Sequence, residues 1–218
     1  MADNLVPVET YLSAGVHIGM KQRTSDMKKF VYKVRPDGLS VFDMEKVNGR
    51  IKAAANFISR FNKILVVSRK KNGKKPIEKF AEVLNSEGFE VRTIAGRFYP
   101  GTLTNPAFPD FWEPQIVLLA DPLADVQALS EAVKIRVPIV ALCDTFNETK
   151  NVDLIIPCNS NGRKALALIF WLMSREISLN NSKIAKPEEF AYTIEDFGDL
   201  PQEAPAEKTD VRVVEAEI

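Results

Sequence analysis

QIVLLADPLADVQALSEAVKIRVPIVALC, residues 115 to 143, is the stretch that decides the fold. It begins with one apolar run, QIVLLA at 115 to 120, and ends with another, PIVALC at 138 to 143. The residues between them, around 125 to 134, have the spacing of a helix. Because both runs are apolar at nearly every position, each predicts a strand that is buried on both faces, which is typical of a parallel sheet. The stretch therefore predicts one strand-helix-strand unit.

The same alternation continues on both sides of this unit. Upstream, Val47, Ile51, Ala54, Ile58 and Phe61 recur at helical spacing, which predicts an amphipathic helix. The predicted elements are a helix at 45 to 61, strand KILVVS at 63 to 68, a helix with Pro76 at its first position and Gly88 at its end, strand FEVRTI at 89 to 94, strand DLIIP at 153 to 157 and a helix at 161 to 178. This order predicts a three-layer α/β domain whose parallel sheet is covered on both faces.

The first 45 residues form a basic N-terminal extension of this domain. ETYLSAGVHIG at 9 to 19 predicts a short helix that ends at Gly15. Two β-rich runs, FVYKV and LSVFD, then flank the turn sequence at 35 to 38, Arg-Pro-Asp-Gly. A turn sequence between two such runs predicts a hairpin.

The formal net charge of zero is a cancellation between regions. Residues 1 to 75 hold 16 Lys and Arg against 6 Asp and Glu, whereas residues 187 to 218 hold 2 against 10. This asymmetry indicates a basic surface for a polyanion and a separate acidic tail. We expect one domain over residues 1 to 186 and an acidic tail over 187 to 218, with a composition typical of disorder. FAYTIEDF at 190 to 197 leaves two alternatives open, a docking segment or part of an unstructured tail.

Several classes of protein are disfavoured. Cys143 and Cys158 each close an apolar run without metal-ligand spacing, which favours reduced, buried thiols in a cytosolic protein. The longest apolar run, 165 to 173, is far below the roughly 20 residues of a membrane span, and no N-terminal stretch has the layout of a signal peptide. We expect a cytoplasmic protein with no membrane partner and no metal.

A nucleotide-binding loop is one interpretation of VVSRKKNGKKP at 66 to 76, because ligands of open α/β sheets gather where strands end. A phosphate loop of the form GxxxxGK[ST] would align Gly73 and Lys74. However, Ser68 then occupies the place of the first glycine, and Lys75 replaces the magnesium-binding hydroxyl. The mononucleotide interpretation is therefore disfavoured, and no cofactor is expected.

Acid-base or metal chemistry would depend on the two carboxylates that follow strands, Asp121 and Asp144. Asp121 also suits a helix cap and Asp144 a polar turn. With His17 as the sole histidine and no serine elbow motif, nothing completes a catalytic constellation. A nucleotide- or phosphate-dependent enzyme thus stays an alternative, without a small-molecule substrate that the sequence identifies.

Cations form the clearest candidate site. They occur in the N-terminal segment, where Phe30 and Tyr32 are interleaved, and in the loop after the first strand of the sheet. The candidates for RNA binding are Lys21, Arg23, Lys28, Lys29, Lys33, Arg35, Arg69, Lys70, Lys71, Lys74 and Lys75. Lysine and arginine bind phosphates through charge, and aromatic faces stack on unpaired bases. A merely solvated basic surface is the alternative.

Five ordered blocks of the sequence resemble the family of ribosomal protein two of the small subunit, in its archaeal and eukaryotic form. They are YLSAGVHIG, FVYKVRPDGLSVFD, GRFYPGTLTNP at 96 to 106, residues 113 to 145, and NVDLIIPCNSNGRKALALIFWLMSRE. The resemblance runs from about Tyr11 to Glu176. It implies a flavodoxin-like parallel sheet of five strands, no enzymatic activity, assembly on small-subunit rRNA between head and body, and neighbouring ribosomal proteins as partners.

Two departures from the bacterial members of that family bear on the site. Met20 stands where bacterial members have a second histidine, which disfavours the metal site sometimes associated with that pair. Only residues 106 to 113 separate Asn105 from Pro114, so we expect no long helical hairpin. The matched loop adds four candidates for RNA contact, Arg97, Thr102, Thr104 and Asn105, although its threonines and asparagine also suit local turn capping.

Overall fold

The computed structural model describes residues 4–198 and has a five-stranded parallel sheet at its centre. The strands are β1 (Val31–Val34), β2 (Ser40–Phe42), β3 (Lys63–Ser68), β4 (Glu90–Ala95), β5 (Ile116–Leu119), β6 (Ile139–Cys143) and β7 (Leu154–Pro157). The helices are α1 (Val8–Ala14), α2 (Met44–Ile58), α3 (Lys74–Ser86), α4 (Val126–Ile135) and α5 (Arg163–Asn180). Short 3-10 turns lie at Lys28–Phe30, Lys71–Gly73, Pro187–Glu189 and Glu195–Phe197.

The strand order of the sheet is β4-β3-β5-β6-β7, with every neighbouring pair parallel. The central strands are buried along almost their whole length, which explains why their sequences are apolar at every position instead of alternating. This is the flavodoxin-like order, so the predicted fold class is confirmed. The order reverses between β3 and β5, which makes the carboxyl ends of these two strands the topological switch point.

Helices cover the sheet unevenly. α5 packs against both α2 and α3, and α2 also contacts β7, so these three helices share one face. Right-handed crossovers place α4 on the other face, because the chain moves from β5 to β6 in the direction opposite to that from β3 to β4. α5 is buried around most of its surface because α1, α2, α3 and the segment after residue 186 all contact it.

The start of α3 corrects one sequence-based boundary. Pro76 is its third residue, not its first, because the 3-10 turn Lys71–Gly73 leads directly into a helix that begins at Lys74. A Cβ atom on Gly73 would lie 2.2 Å from Ser68 Oγ, so this turn leaves no room for a side chain.

The predicted short helix that ends at Gly15 and the predicted hairpin are both present, as α1 and as the antiparallel pair of β1 and β2. α1 ends where Gly15 adopts a φ of 70°, the left-handed conformation that glycine accepts without strain. Residues 96–115 cross from β4 to β5 without a helix, so no long helical hairpin follows Asn105.

Packing continues beyond the predicted start of the tail. Phe197 is fully buried, Trp171 Nε1 donates a 2.8 Å hydrogen bond to Tyr192 O, and Trp171 contacts the ring of Phe190 edge-on. Of the two alternatives for 190 to 197, the structure supports a docking segment, and it is seated on the chain's own α3 and α5. The prediction of a disordered tail from residue 187 onward is therefore wrong for residues 187 to 198, which pack on the domain. The rest of the tail, residues 199 to 218, lies outside the described residues, and the division into domains stays a prediction.

Candidate nucleic-acid interface

The N-terminal segment is anchored at the carboxyl edge of the sheet by Thr145, which follows β6. Thr145 Oγ1 accepts a 3.0 Å hydrogen bond from Met20 N and donates one of 3.2 Å to Met20 O, and Thr145 O accepts one of 2.9 Å from Thr24 N. Gly19 lies so close that a Cβ atom on it would come within 2.5 Å of Thr145 Cγ2. Two stretches 125 residues apart thus fix each other, which holds the chain between Lys21 and Arg23 at this edge.

The predicted N-terminal cations are all exposed, and the structure divides them into two groups. Lys21 lies beside the hairpin turn, with its Cδ 3.8 Å from the position that a Cβ on Gly38 would take, so Lys21 and Arg35 belong to one surface near the anchored segment. Arg35 is half-exposed and pairs at 3.1 Å with Asp37. Lys33 lies on β1, and Arg23 follows Lys21 on the anchored segment.

Lys28 and Lys29 lie instead beside the first turn of α2, where Lys46 Nζ donates a 2.8 Å hydrogen bond to Lys29 O. The two aromatic residues between these cations differ in access. Phe30 is 4% exposed and its ring is already approached by Lys29 and Arg50, at 5.1 and 5.5 Å. Tyr32 is 72% exposed. The Phe30 ring is therefore not accessible for stacking on a base, whereas the Tyr32 ring is.

The side chain of Lys70 occupies the topological switch point at the carboxyl ends of β3 and β5. Its ammonium forms an ion pair with Asp121 and donates hydrogen bonds to Ser160 Oγ at 3.0 Å and Asn161 Oδ1 at 2.6 Å. The Asp121 side chain is 2% exposed, so Lys70 neutralises a carboxylate that water does not reach. Of the predicted loop cations, Lys70 is therefore committed to the protein interior, and the crevice where α/β enzymes bind ligands is occupied by the protein's own ion pair.

The other carboxylates at this edge also hold the structure together. Asp144 accepts hydrogen bonds from Thr145 N at 2.7 Å and Asn161 Nδ2 at 3.2 Å, and burial raises its pKa. Asp125 accepts one of 2.9 Å from Arg69 N, and burial raises the pKa of Asp125 to about 6. Each of these carboxylates accepts at least one hydrogen bond from the loops of this edge, whereas Asp125 Oδ2 is buried without a partner in the described part of the chain.

Two of the other loop cations lie close to the start of α5. Lys71 and Lys75 line a hollow of 190 Å³ together with Arg163, the first residue of α5. Arg163 Nε donates a 3.1 Å hydrogen bond to Asn72 Oδ1, and Asn72 Nδ2 donates one of 2.7 Å to Asn161 O, which fixes the two loops together. Three cationic side chains thus surround one small concavity.

Backbone groups add to the positive potential at this concavity. α3 and α5 begin at glycines, without a side-chain cap and without an acidic residue in the first turn. Helix N-termini present unpaired N–H groups and a partial positive charge, although at α3 the Lys74 N–H is already bonded to Lys71 O and Pro76 has no N–H group. Lysine or arginine in a first turn is unfavourable by about 0.3–1 kcal/mol each unless an anion is bound. The arrangement suits phosphate oxygens.

The loop predicted to contact RNA at 102 to 105 is organised by a buried residue that sequence reasoning missed, Glu131. Its carboxylate is 2% exposed and accepts hydrogen bonds from Gly101 N at 2.9 Å, Leu103 N at 3.2 Å and Thr104 Oγ1 at 3.3 Å. Thr102 is 6% exposed and donates to Tyr99 O at 2.7 Å. Thr102 therefore points into the protein and caps a local turn, which was the alternative to RNA contact.

Asn105 and Arg97 differ from Thr102 in access. Asn105 Oδ1 accepts a 3.1 Å hydrogen bond from Ala107 N, which is also local turn capping, yet Asn105 and Thr104 keep exposed surface. Arg97 is exposed and lies 6.0 Å from the centre of the Tyr99 ring. RNA contact by Arg97, Thr104 and Asn105 stays a prediction.

Arg163 is the second residue that sequence reasoning missed, although the sequence holds a signal for it. Asn-Gly-Lys-Lys at 72 to 75 opens α3, and Asn-Gly-Arg-Lys at 161 to 164 opens α5. Both tetrapeptides follow a parallel strand, so both must lie at the carboxyl edge. Comparison of these two strand-to-helix loops would have added Arg163 and Lys164 to the candidates.

The sole histidine is not part of a polar cluster. His17 Nδ1 is shielded from solvent and has no hydrogen-bond partner in the described part of the chain, and Met20 is held through its backbone. No group of three His, Cys, Asp or Glu side chains arranged to hold a metal ion occurs among residues 4–198. Over the same residues, no helix has the length and apolar character that a bilayer span requires.

The fold and this edge define a flavodoxin-like α/β protein whose switch point is filled by an internal ion pair and whose surrounding loops carry cations. The chain matches the model of the family Ribosomal protein S2 over residues 11–108 and 112–179. It therefore belongs to the ribosomal protein S2 family, as the sequence resemblance predicted.

Archaeal members of the family are among the relatives that the chain resembles. The chain is 47% identical over 195 residues to small ribosomal subunit protein uS2 of Thermoplasma volcanium, and 47% identical over 195 residues to that of Thermoplasma acidophilum. Each of these alignments covers 88% of this chain and 96% of the relative. The uS2 protein of Haloquadratum walsbyi is 48% identical over 177 residues, which covers 80% of this chain and 62% of that protein. The archaeal and eukaryotic type of the family is thereby confirmed.

Proposed function

We propose that this protein binds small-subunit rRNA through the carboxyl edge of its sheet, as a structural constituent of the small ribosomal subunit. Its family is that of a structural ribosomal protein, not of an enzyme. The observation that supports the proposed surface is the hollow where Lys71, Lys75 and Arg163 meet the uncapped starts of two helices.

The edge would act as a row of phosphate contacts. Lys71, Lys74, Lys75 and Arg163 lie around the two helix starts, and Lys74 is only loosely tied to Glu78, at 4.0 Å with both side chains largely exposed. Arg23 extends the row along the anchored N-terminal segment. Phosphate contacts of this kind fix the orientation of a protein on RNA without selecting a base sequence. Tyr32 offers a ring for an unpaired base.

Lys70 has a different role in this proposal. Its ammonium balances the negative charge of the buried Asp121 carboxylate, so that the edge carries no uncompensated charge beneath the RNA. Without that ion pair, the negative charges of Asp121 and Asp144 would face the phosphates. In this proposal Lys70 pairs with Asp121 inside the protein, and the other cations of the loop contact RNA phosphates.

The face of the sheet that α4 covers suits protein neighbours better than RNA. Val126 and Val133 of α4 are 53% and 41% exposed, and Leu123, which precedes this helix, is 60% exposed. We infer contacts with neighbouring ribosomal proteins there, and a single copy of this chain in each subunit instead of a homo-oligomer. We also infer a cytoplasmic location and no small-molecule substrate.

Equilibrium binding of the purified chain to a small-subunit rRNA transcript tests the proposal. With roughly six to ten phosphates neutralised, the affinity should fall by about 10³–10⁵ between about 50 and 200 mM salt. An affinity that does not change with salt would contradict the proposed electrostatic interface.

A further inference from the structure

The crossover from β4 to β5 leaves a cleft at the edge of the sheet. In sheets of this type a helix usually covers each crossover, but residues 96–115 contain turns only. The resulting cleft has a volume of 380 Å³ and runs along β4. Ile94, Leu103 and Trp112 give it an apolar floor. The fold therefore provides space for a side chain directly beside an edge strand.

The outer side of β4 is unpaired beyond its first residues. Glu90 N donates to Asn62 O and Gly96 N donates to Ser68 O, so the backbone groups of the even-numbered residues point to β3. Those of the odd-numbered residues point outward. At Val91 the side chain of Asn85 satisfies both groups, with hydrogen bonds of 2.7 and 3.1 Å.

Thr93 and Ala95 follow Val91 with the same outward orientation of the backbone. Among residues 4–198 their outward N–H and C=O groups have no hydrogen-bond partner, and β4 pairs with β3 alone. Both residues line the cleft. An edge with two free donor-acceptor pairs beside an apolar hollow is the arrangement that accepts an added strand, because main-chain hydrogen bonds give affinity and the hollow takes a side chain.

We propose that an extended, acidic segment of a neighbouring ribosomal protein adds to β4 as a sixth strand, paired with Thr93 and Ala95. This deepens the proposed function and rests on the protein contacts inferred there. The charge of the cleft indicates the acidic character of the segment, since Arg92 and Arg97 oppose the single carboxylate of Asp110. The proposal thus assigns Arg97 to this segment in place of the RNA contact that the sequence predicts.

Both arginines are held in place by aromatic rings. The guanidinium of Arg92 lies 5.0 Å from the Trp112 ring, and that of Arg97 lies 6.0 Å from the Tyr99 ring. Peptide is favoured over RNA because the free backbone groups repeat at the spacing of a strand and the floor between them is apolar.

The test compares Thr93→Pro with Thr93→Val in cells that also express the tagged wild-type chain. Proline removes the outward N–H group and leaves the pairing with β3, because Arg92 and Ile94 make that pairing. Valine has the same shape as threonine and keeps the donor. We expect about tenfold lower incorporation of Thr93→Pro into small subunits and unchanged incorporation of Thr93→Val. Equal incorporation of both variants would overturn the proposal.

Two further measurements do not depend on the proline variant folding. In hydrogen-exchange mass spectrometry of the wild-type chain, the Thr93 and Ala95 amides within the peptide spanning residues 91–97 should exchange fast in the free chain and slowly in assembled subunits, whereas the amides already bonded to β3 or Asn85 should exchange slowly in both. A photo-crosslinker that replaces Tyr99 should then link to an acidic segment of another subunit protein. A link to rRNA, a link to residues 199–218 of the same chain, or fast exchange in assembled subunits would overturn the proposal.

The proposed RNA interface and the proposed added strand can be refuted independently of each other. Free Thr93→Pro should bind the rRNA transcript with the affinity and salt dependence of the wild-type chain, because Thr93 lies away from the hollow at Arg163. A wild-type chain that binds rRNA without salt dependence would refute the RNA interface and leave the exchange result at β4 intact.

Discussion

Replacing Lys71, Lys75 and Arg163 together by alanine removes the three cations that line the hollow between α3 and α5. Each phosphate contact contributes about 0.7–0.9 to the slope of log affinity against log salt. Three contacts account for a slope change of about 2–3. At ~0.1 M salt this corresponds to a loss of affinity of roughly 10²–10³-fold, and the loss should shrink as the salt concentration rises.

The assay is a titration of a fluorescent small-subunit rRNA transcript at several salt concentrations. A matched control replaces Arg60, Lys134 and Arg136 by alanine. These substitutions remove the same amount of charge, but from the amino edge of the sheet, where α2 and α4 end. The control should reduce affinity only slightly, because charges beyond a Debye length of about 10 Å are screened at 0.1 M salt.

The result that would refute this reasoning is an equal loss of affinity in both triple variants. It would mean that RNA senses the overall charge of the protein and not the hollow. A wild-type slope in the Lys71, Lys75 and Arg163 variant would refute it as well. Urea unfolding of both variants checks that neither change acts through stability.

Three further predictions concern the residues that build the edge. Lys70→Ala leaves Asp121 buried without its cation and should lower the free energy of unfolding by about 3–5 kcal/mol, whereas Lys71→Ala should change it by less than ~0.5 kcal/mol in the same urea titration. Asp125 has a folded-state pKa of about 6, raised from 3.8 by burial, so it binds a proton more tightly when folded and its contribution to stability falls as the pH rises from about 4 to 6. Asp125→Asn should therefore gain stability relative to the wild type across that pH window, by on the order of 3 kcal/mol at pH 7, and a constant difference would contradict this. Glu131→Ala removes the acceptor of two backbone N–H groups and should cost about 3 kcal/mol, with faster proteolysis within residues 99–105 as the local measure.

The sequence predicted the sheet well because each buried strand is a local signal. KILVVS at 63 to 68 coincides with β3, and the other predicted strands of the sheet agree with the structure within one residue at either end. The start of α3 was less accurate, because Pro76 suits several positions in a first turn and the 3-10 turn before it has no distinctive sequence.

Site residues were harder to predict, since their roles depend on partners far away in the chain. Lys70 is one of five cations in its loop, and only the fold shows that Asp121, 51 residues later, lies against its ammonium. Thr102 looked accessible because nothing nearby in sequence indicates the buried Glu131 beneath it. The burial of Phe30 was equally hard to predict, because Arg50, which lies against its ring, comes from α2.

The docked segment at 190 to 197 shows a different limit. Its acidic composition is typical of disorder, and yet Phe197 is buried and Tyr192 O accepts a hydrogen bond from Trp171. Composition averages over a segment, whereas a few aromatic residues at suitable spacing are enough to hold it on a helix surface. The two alternatives could be separated only by the surface that α3 and α5 offer.

Lysine footprinting of assembled small subunits tests the central claim most directly. Lys71 and Lys75 should lose reactivity towards reductive methylation when the chain is in the subunit and regain it after ribonuclease digestion, while Lys134 on the opposite edge should not respond to ribonuclease. Full reactivity of Lys71 and Lys75 in intact subunits would contradict the assignment of the carboxyl edge to rRNA.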